Sequence, residues 1–349
     1  MIGHRFYAAA GAALVLLACL TAPAFAQSPL VVTTLPYLER LVAEIGGNDV
    51  RVEALAPPGE DPHYISPSPA QTALLREAAG FVENGVSLEP WTARLLEGAR
   101  NPRLAPGAAG HVYAAEGVRT LDRPSAEEAA AGGHVHAGGN PHVWLDPVNL
   151  KRLSRNIEDL LAALDPGQAD AYKARREAFE AEIDERMYGD RLVKILGAEL
   201  LDDLHQSGRL RGFLAEREFR GAPLSEQAGG WVARAAALGE PKVFSYHATW
   251  RYFQEVFGVN VLGAVEEKPG IAPSAAHLEQ LQKVALREGV RLIVTAPYYP
   301  ANRAAGLAEQ IGGKVVTLPT QPGEAGTKRD DLLGIYDAIF DELERGAGD

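Results

Sequence analysis

Short strand-like segments alternate with helical segments at both ends of this chain, and this alternation restricts the fold more than any other feature. In the first half, apolar runs bounded by turn residues lie at Leu30–Thr34, Val52–Leu55, Gly80–Glu83 and His111–Tyr113. In the last third they lie at Lys242–Tyr246, Val259–Gly263, Leu292–Thr295 and Lys314–Leu318. Segments of helical periodicity separate them. This order predicts an α/β protein of two lobes, each a four-stranded, mostly parallel sheet with flanking helices.

A helical pattern without proline or glycine runs through Gln168–Met187, between the two groups of strands. At ~1.5 Å per residue this segment forms a rod of roughly 30 Å. Its charges are mixed in sign, which is typical of a solvated surface helix, and its position makes it the predicted single connection between the lobes. We therefore predict an N-terminal lobe at 27–165, a linking helix at 166–187 and a C-terminal lobe at 188–349. A mostly helical insertion at about 188–238 has no predicted function.

The first 26 residues have the organisation of a secretory signal peptide. Arg5 lies before an apolar run at Ala8–Leu20, and Ala24-Phe25-Ala26 supplies a cleavage site of small residues. The apolar run is shorter than the roughly 20 residues that span a bilayer. Cys19 is the only cysteine and is the alternative site, for a lipoprotein anchor, but Leu17 is bulky for that signal. We therefore predict a periplasmic protein that is cleaved after Ala26.

Composition limits the chemistry of the mature protein. Cleavage after Ala26 leaves no cysteine, so a disulfide and a thiolate metal site are both excluded. The formal net charge of −12 becomes one unit more negative when Arg5 is removed. This charge argues against nucleic acid or an anionic membrane surface as a partner and suits a carrier of cations. We expect a monomer, without a membrane-spanning segment after the leader.

Three histidines from separate parts of the chain lie just beyond, or between, predicted strands. His63 follows the second strand, His247 directly follows the fifth, and His142 precedes the helical segment that leads into the linking helix. Ligands of open parallel sheets bind beyond the carboxyl ends of the strands, so these side chains are predicted to meet in the cleft. A single histidine is more often a surface or core residue than a ligand. However, Pro62 and Pro141 restrict the backbone next to two of the three, which reduces the entropy lost on ordering them.

Carboxylates near the histidines are predicted to support them. Asp61 and Asp146 are the candidates for bonding the second imidazole nitrogen, an arrangement that sets the tautomer of a metal ligand. Trp144 follows His142 and is expected to form an apolar wall of the site or simply to pack in the core.

Four segments together resemble the ZnuA- and TroA-like family, the zinc- and manganese-binding solute-binding proteins of ABC importers. The segments are Gly59–Pro69, Asn140–Pro147, Tyr246-His247 with Tyr252-Phe253, and Pro269–Ser274. The resemblance covers nearly the whole mature chain apart from the insertion. It implies two α/β lobes joined by one long helix, with His63, His142 and His247 as metal ligands. It also implies an ABC permease with its cytoplasmic ATPase as partner.

The chain departs from this family at the fourth ligand. Members usually supply a carboxylate from the loop after the last strand, but here that loop, Pro319–Glu324, has no aspartate at its start. Glu266, which follows the sixth predicted strand, is our predicted fourth ligand. Glu267 and Glu324 are the alternatives, and a water molecule is a further one.

A His-x-His pair, His134 and His136, lies in the glycine- and alanine-rich segment Ala114–Gly139. Zinc-type family members carry a histidine-rich loop in this place, so the resemblance implies that the pair collects metal. Incidental surface histidines are the alternative. The remaining histidines have no supporting context and receive no predicted role: His4, His111, His205 and His277.

Three imidazoles with one oxygen donor suit four-coordinate Zn²⁺, whereas Mn²⁺ prefers sites richer in oxygen. We therefore predict Zn²⁺ as the cargo and Mn²⁺ as the alternative. A zinc hydrolase also uses three histidines, but the chain has no His-Glu-x-x-His pattern and no general base in a recognised position. The sequence thus predicts a carrier that is not an enzyme, which hands metal to a permease. An adhesin on the same scaffold is the other alternative, and a periplasmic metallochaperone is a further candidate partner.

Overall fold

The computed structural model describes residues 28–125, 136–266, 270–324 and 326–348. The strands in these ranges are β1 (Leu30–Thr33), β2 (Arg51–Ala54), β3 (Gly80–Glu83), β4 (His111–Tyr113), β5 (Glu218–Phe219), β6 (Ala222–Pro223), β7 (Lys242–Ser245), β8 (Asn260–Ala264), β9 (Leu292–Thr295) and β10 (Lys314–Thr317). The helices are α1 (Pro36–Gly46), α2 (Pro69–Glu77), α3 (Thr92–Ala99), α4 (Asn149–Leu164), α5 (Ala169–Tyr188), α6 (Asp190–Leu196), α7 (Ala198–Gln206), α8 (Leu210–Glu216), α9 (Gly230–Leu238), α10 (Arg251–Phe257), α11 (Ala275–Glu288), α12 (Ala301–Gln310) and α13 (Gly334–Gly348).

Two four-stranded sheets form the lobes, and every strand pair within them is parallel. The first sheet has the order β2-β1-β3-β4 and the second has the order β10-β9-β7-β8. Numbered within its own lobe, each sheet therefore has the same order, second-first-third-fourth. The predicted α/β fold of two similar lobes is confirmed, and each predicted strand lies within one residue of the observed one.

The burial of the strands follows from their places in the sheets. All four residues of β1 are buried, as are those of β3 and β9, and these strands have neighbours on both sides. The edge strand β2 is only partly buried, with alternate residues exposed. Central strands of a parallel sheet are covered by helices on both faces, which explains why their sequences are continuously apolar.

The long helix α5 lies where the connecting rod was predicted. It begins after the turn at Asp165–Gln168 and ends at Gly189, whose φ of 81° is readily adopted by glycine. It packs against α1 and α4 of the first lobe and against α9 of the second. At the α9 contact, a Cβ on Gly230 would lie 2.0 Å from the carbonyl oxygen of Arg186, so only glycine permits this approach.

The insertion contains α6 to α9 and a small antiparallel hairpin of β5 and β6. The helices agree with the predicted helical character, whereas the hairpin was not predicted because two-residue strands carry no periodic signal. Lys151 of α4 ties this region to the lobes, since its buried ammonium bonds both Asp184 of α5 and Asp202 of α7. In the part of the chain that the structure describes, every helix is too short or too polar to cross a membrane.

Candidate metal centre

The three predicted histidines converge. One donor atom from each of His63, His142 and His247 lies within 4.8 Å of the other two, and all three residues are buried. The ring centroid of His63 lies 5.2 Å from that of His142 and 5.4 Å from that of His247. The centroids of His142 and His247 lie 5.8 Å apart. Histidines from both halves of the chain therefore come together at one point.

His63 is held by the aspartate two residues before it. The Oδ1 atom of Asp61 accepts a bond from the His63 backbone N–H at 3.0 Å and lies 2.6 Å from Nδ1 of the ring. The indole N–H of Trp91 donates to the Pro62 carbonyl at 2.9 Å. This bond fixes the backbone between Asp61 and His63. Asp61 therefore lies beside the Nδ1 side of the His63 ring.

His142 is held in the same way by an asparagine. Oδ1 of Asn140 accepts from the His142 backbone N–H at 3.1 Å and lies 2.9 Å from its Nδ1. The amide of Asn140 also donates to the carbonyl of Ala248, which is next to His247. In both Asp61-Pro62-His63 and Asn140-Pro141-His142 the acceptor lies two residues before the histidine. This repetition is the sequence signal that identifies Asn140 as the partner of His142.

Asp146 was predicted as the partner of His142, and the structure places it elsewhere. Its carboxylate lies 3.0 Å from Nε2 of His205 in α7 and accepts from the backbone N–H of Val148 at 2.9 Å. Asp146 follows the single 3-10 turn Val143–Leu145 that separates it from His142. The side chain is therefore directed toward the insertion, and this prediction is corrected in favour of Asn140.

His247 directly follows β7, and its ring is held from the second lobe. Oε2 of Glu266 lies 3.1 Å from Nδ1 of His247, and both side chains are buried. The backbone N–H of Glu266 donates to the Tyr246 carbonyl at 2.9 Å and so extends the pairing of β7 with β8. The predicted ligand Glu266 thus lies against the outer nitrogen of His247, and it is outside the group of three donors found among the described residues.

The alternative fourth ligands lie in other surroundings. Glu324 accepts bonds from the backbone N–H groups of Thr320 at 2.5 Å and Gln321 at 3.0 Å, so its carboxylate closes its own loop. Glu267 and His134 lie outside the described residues. His136 is described, and its ring centroid lies 5.3 Å from that of His63.

These bonds determine which nitrogen of each ring can bind a cation. The carboxylates and the amide oxygen can only accept, so Nδ1 of each ring carries the proton and Nε2 carries the lone pair. Among the described residues, the buried Nε2 atoms of His63 and His142 have no hydrogen-bond partner. Unpaired buried nitrogens are costly, and a metal ion would satisfy both.

Electrostatics also keep the His142 ring neutral. Burial lowers the pKa of His142 well below its ordinary value, and the neighbouring rings of His63, His247 and His136 lower it further. A neutral imidazole is the form that binds metal, so His142 is ready to ligate at neutral pH.

The other described histidines bond groups outside this cluster. Nδ1 of His111 lies 2.9 Å from the Leu104 carbonyl, and Nε2 of His277 lies 2.8 Å from the Ala264 carbonyl. His205 pairs with Asp146, 59 residues earlier in the chain. Local sequence carried no signal for that pair, because its members come from the His142 loop and the insertion.

Comparison with known proteins identifies the family. The sequence profile of ZnuA, described as zinc-uptake complex component A periplasmic, matches residues 31–187 and 224–346. The unmatched gap contains α6, α7, α8 and both strands of the hairpin. The high-affinity zinc uptake system protein ZnuA of Bacillus subtilis is 24% identical over 318 residues, 90% of this chain and 85% of the relative. The manganese-binding lipoprotein MntA of Halalkalibacterium halodurans is 30% identical over 155 residues, 44% of this chain and 46% of the relative.

A solved structure shows the same fold. The periplasmic zinc-binding protein TroA from Treponema pallidum superposes with a TM-score of 0.66 at 20% identity, covering 92% of this chain and 100% of that one. The resemblance stated from the sequence motifs is confirmed. This chain belongs to the ZnuA family of periplasmic zinc-uptake components, which are solute-binding proteins of ABC importers and not enzymes.

Proposed function

We propose that this protein captures Zn²⁺ outside the cytoplasm through His63, His142 and His247 and delivers it to the permease of an ABC importer. One observation carries the proposal: three buried imidazoles from two lobes present donors within 4.8 Å of one another. Members of the family work with a membrane permease and its ATPase in general. The proposal includes two specific partners: a cognate permease that receives the ion and a periplasmic metallochaperone that loads the protein.

Zinc is favoured over manganese by the chemistry of the donors. The three donors grouped among the described residues are all imidazole nitrogens, and no carboxylate oxygen joins them. Mn²⁺ prefers oxygen ligands and binds a given nitrogen site more weakly than Zn²⁺. Relatives are named for either metal, zinc for the Bacillus subtilis protein and manganese for the Halalkalibacterium halodurans protein.

The proposal also covers the export of the protein, its oligomeric state and the role of the loop histidines. The leader is cleaved after Ala26, with lipid attachment at Cys19 as the alternative, and the mature protein acts as a monomer. His134 and His136 collect metal at the entrance to the site. The support is the sequence of the leader and the position of His136 near His63.

Capture and release require only small movements of the lobes. The indole N–H of Trp144 donates to the Thr320 carbonyl at 2.9 Å, and the backbone N–H of Tyr37 donates to Oε1 of Gln321 at 3.0 Å. Both bonds join the first lobe to the loop after β10. The packing of α5 on helices of both lobes also restrains hinge motion, so loop rearrangement is the expected route for the ion.

Metal analysis followed by titration tests the proposal. The mature protein should bind one Zn²⁺ per chain and bind Mn²⁺ more weakly. His142→Ala should weaken zinc binding by more than about 100-fold, because a direct ligand matters more than an outer-shell partner. His277→Ala is the matched control, since this histidine lies in α11 outside the cluster, and it should bind like the wild type. Unchanged zinc affinity in His142→Ala would overturn the assignment.

A further inference from the structure

The three histidines leave one position of a four-coordinate zinc site to be filled. The carboxylates nearest to the site in the described residues already have other bonds. Asp61 holds His63, Glu266 holds His247, and Glu324 accepts from two backbone N–H groups of its own loop. The late-loop carboxylate that the family resemblance implies is therefore not available here, and the fourth position is open to another donor close to the three histidines.

His136 is the nearest additional imidazole in the described structure. Its ring centroid lies 5.3 Å from that of His63, the same range as the 5.2 Å and 5.4 Å that separate His63 from His142 and His247. The Nε2 atom of His136 is buried. The ring is also close enough to contribute to the lowered pKa of His142, after burial and the other two histidines. Its donor atoms lie outside the 4.8 Å group, so ligation requires a short inward movement of the ring.

The tautomer of His136 is set as in the three other rings. Its Nδ1 lies 3.0 Å from the carbonyl oxygen of Ser87. A carbonyl only accepts hydrogen bonds, so Nδ1 carries the proton and Nε2 carries the lone pair. Metal-binding histidines are commonly held by such a bond from the far nitrogen to a backbone carbonyl or a carboxylate. The same arrangement therefore occurs at all four histidines around this point.

The backbone that presents the Ser87 carbonyl is strained. Val86 and Ser87 have φ values of 55° and 59°, in the left-handed region that non-glycine residues, and β-branched ones above all, avoid. The segment is pinned by the buried carboxylate of Glu89, which accepts from the backbone N–H groups of Asn84 at 2.7 Å and Gly85 at 3.1 Å. Strain of this kind persists where the surroundings enforce it, and it concentrates at ligand-binding sites.

A tight turn connects His136 to the triad. The backbone N–H of Gly139 donates to the His136 carbonyl at 2.9 Å, and the next residue, Asn140, holds His142. Gly139 has a φ of 99°, and a Cβ at this position would lie 2.5 Å from the carbonyl oxygen of Leu121. This turn keeps His136 close to His142 and reduces the entropy lost when the ring becomes a ligand.

We propose that His136 is the fourth metal ligand and completes an all-imidazole site for Zn²⁺. The inference rests on the proposed function and deepens it, because it gives the loop histidine a place in the central site in addition to collecting metal. A site with four nitrogen donors has no oxygen ligand that Mn²⁺ would prefer. The fourth imidazole therefore also explains how this chain can favour zinc without the late-loop carboxylate.

The test compares zinc-loaded wild type, His136→Ala and His134→Ala as full mature chains, with ¹⁵N-labelled histidines observed by NMR. Zinc bound to Nε2 shifts the resonance of that nitrogen. We expect four shifted rings in the wild type and in His134→Ala, and three in His136→Ala. Zinc affinity should fall by more than about 100-fold in His136→Ala, because a direct ligand matters more than an outer-shell partner, and should stay within about twofold in His134→Ala.

Two outcomes would overturn the inference. One is that His136→Ala shows the same zinc-shifted rings as the wild type. The other is that His136→Ala and His134→Ala lose the same amount of zinc affinity, which would mean that the loop only collects the metal. Failure of the proposed function looks different. In that case the wild type binds no zinc, or His63→Ala binds it as well as the wild type.

Discussion

The carboxylate of Glu266 lies 3.1 Å from Nδ1 of His247, and the two side chains are buried together between the ends of β7 and β8. The bond occupies Nδ1 and leaves Nε2 as the nitrogen with the lone pair. A carboxylate in this position also increases the basicity of the ligand nitrogen. Glu266 is therefore expected to strengthen zinc binding through His247.

Substitution of Glu266 tests this role. In Glu266→Gln the amide oxygen can still accept from Nδ1 but the negative charge is lost, so zinc affinity should fall about tenfold, and Glu266→Ala should lose up to about 100-fold. Competition with a chromophoric chelator measures both. Glu324→Gln is the control: zinc affinity should stay near wild type, because the amide oxygen can still accept from the backbone N–H groups of Thr320 and Gln321 within the same loop. A loss in Glu266→Gln as large as that in His142→Ala would instead make Glu266 a direct ligand.

The stability of the zinc-free protein should depend on pH through His142. Burial, followed by the nearby imidazoles, lowers the folded-state pKa of this residue below 6.5. Below pH 6.5 the unfolded chain takes up a proton that the folded protein does not, so the free energy of unfolding falls as the pH decreases. Urea denaturation with a chelator present, from pH 8 to pH 5, should show this fall. His142→Gln should reduce it, and an identical slope in that variant would contradict the explanation.

His205 should show the opposite dependence. Burial opposes its protonation, but the charge and hydrogen bond of Asp146 outweigh burial and raise the pKa of His205 above 6.5. The folded protein then keeps a proton that the unfolded chain has lost, so this stabilisation is complete below pH 6.5 and disappears as the pH rises through the raised pKa. His205→Gln should flatten the alkaline part of the same denaturation series. Steepening of that part would refute the pairing with Asp146.

Lys151 should be important for stability. Its ammonium is buried and bonds two carboxylates, those of Asp184 and Asp202. Lys151→Met leaves both acids without their cation and should cost about 3–5 kcal/mol. The control is Lys194→Met, which removes an exposed pair with Asp190 within α6 and should cost under about 0.5 kcal/mol. Chemical denaturation at pH 7 measures both, and equal effects would show that the buried network contributes little.

Trp144 should influence how fast zinc leaves. Its indole N–H bonds the Thr320 carbonyl across the lobes, and its ring stacks on Tyr37 with centroids 4.8 Å apart. Trp144→Phe keeps an aromatic ring but loses a bond worth about 1 kcal/mol, so zinc release should be roughly fivefold faster. Stopped-flow chelation measures the rate. Trp231→Phe is the control, because the indole of Trp231 bonds Asp337 away from the site. Equal acceleration in both variants would argue against a role for the inter-lobe bond.

Local sequence predicted some features well because the physics behind them is local. Strands such as β1 and β9 are fully buried, and their continuous apolar runs are visible without any knowledge of the fold. The hairpin of β5 and β6 was missed because two residues are too few to show a period. Asp146 was assigned to His142 from proximity in sequence, whereas the Asx-Pro-His repetition pointed to Asn140.

By itself, the amino-acid sequence predicted the two-lobed α/β fold, because apolar periodicity and chain order are sufficient for it, and it singled out His63, His142 and His247 through the short motifs around them. Only the tertiary structure decided which acceptors hold the rings of His247 and His136. Glu266 meets His247 across two strands, and Ser87 meets His136 across 49 residues. Such pairings depend on how distant loops pack and on the cost of leaving buried polar atoms unpaired, and no local pattern records that packing.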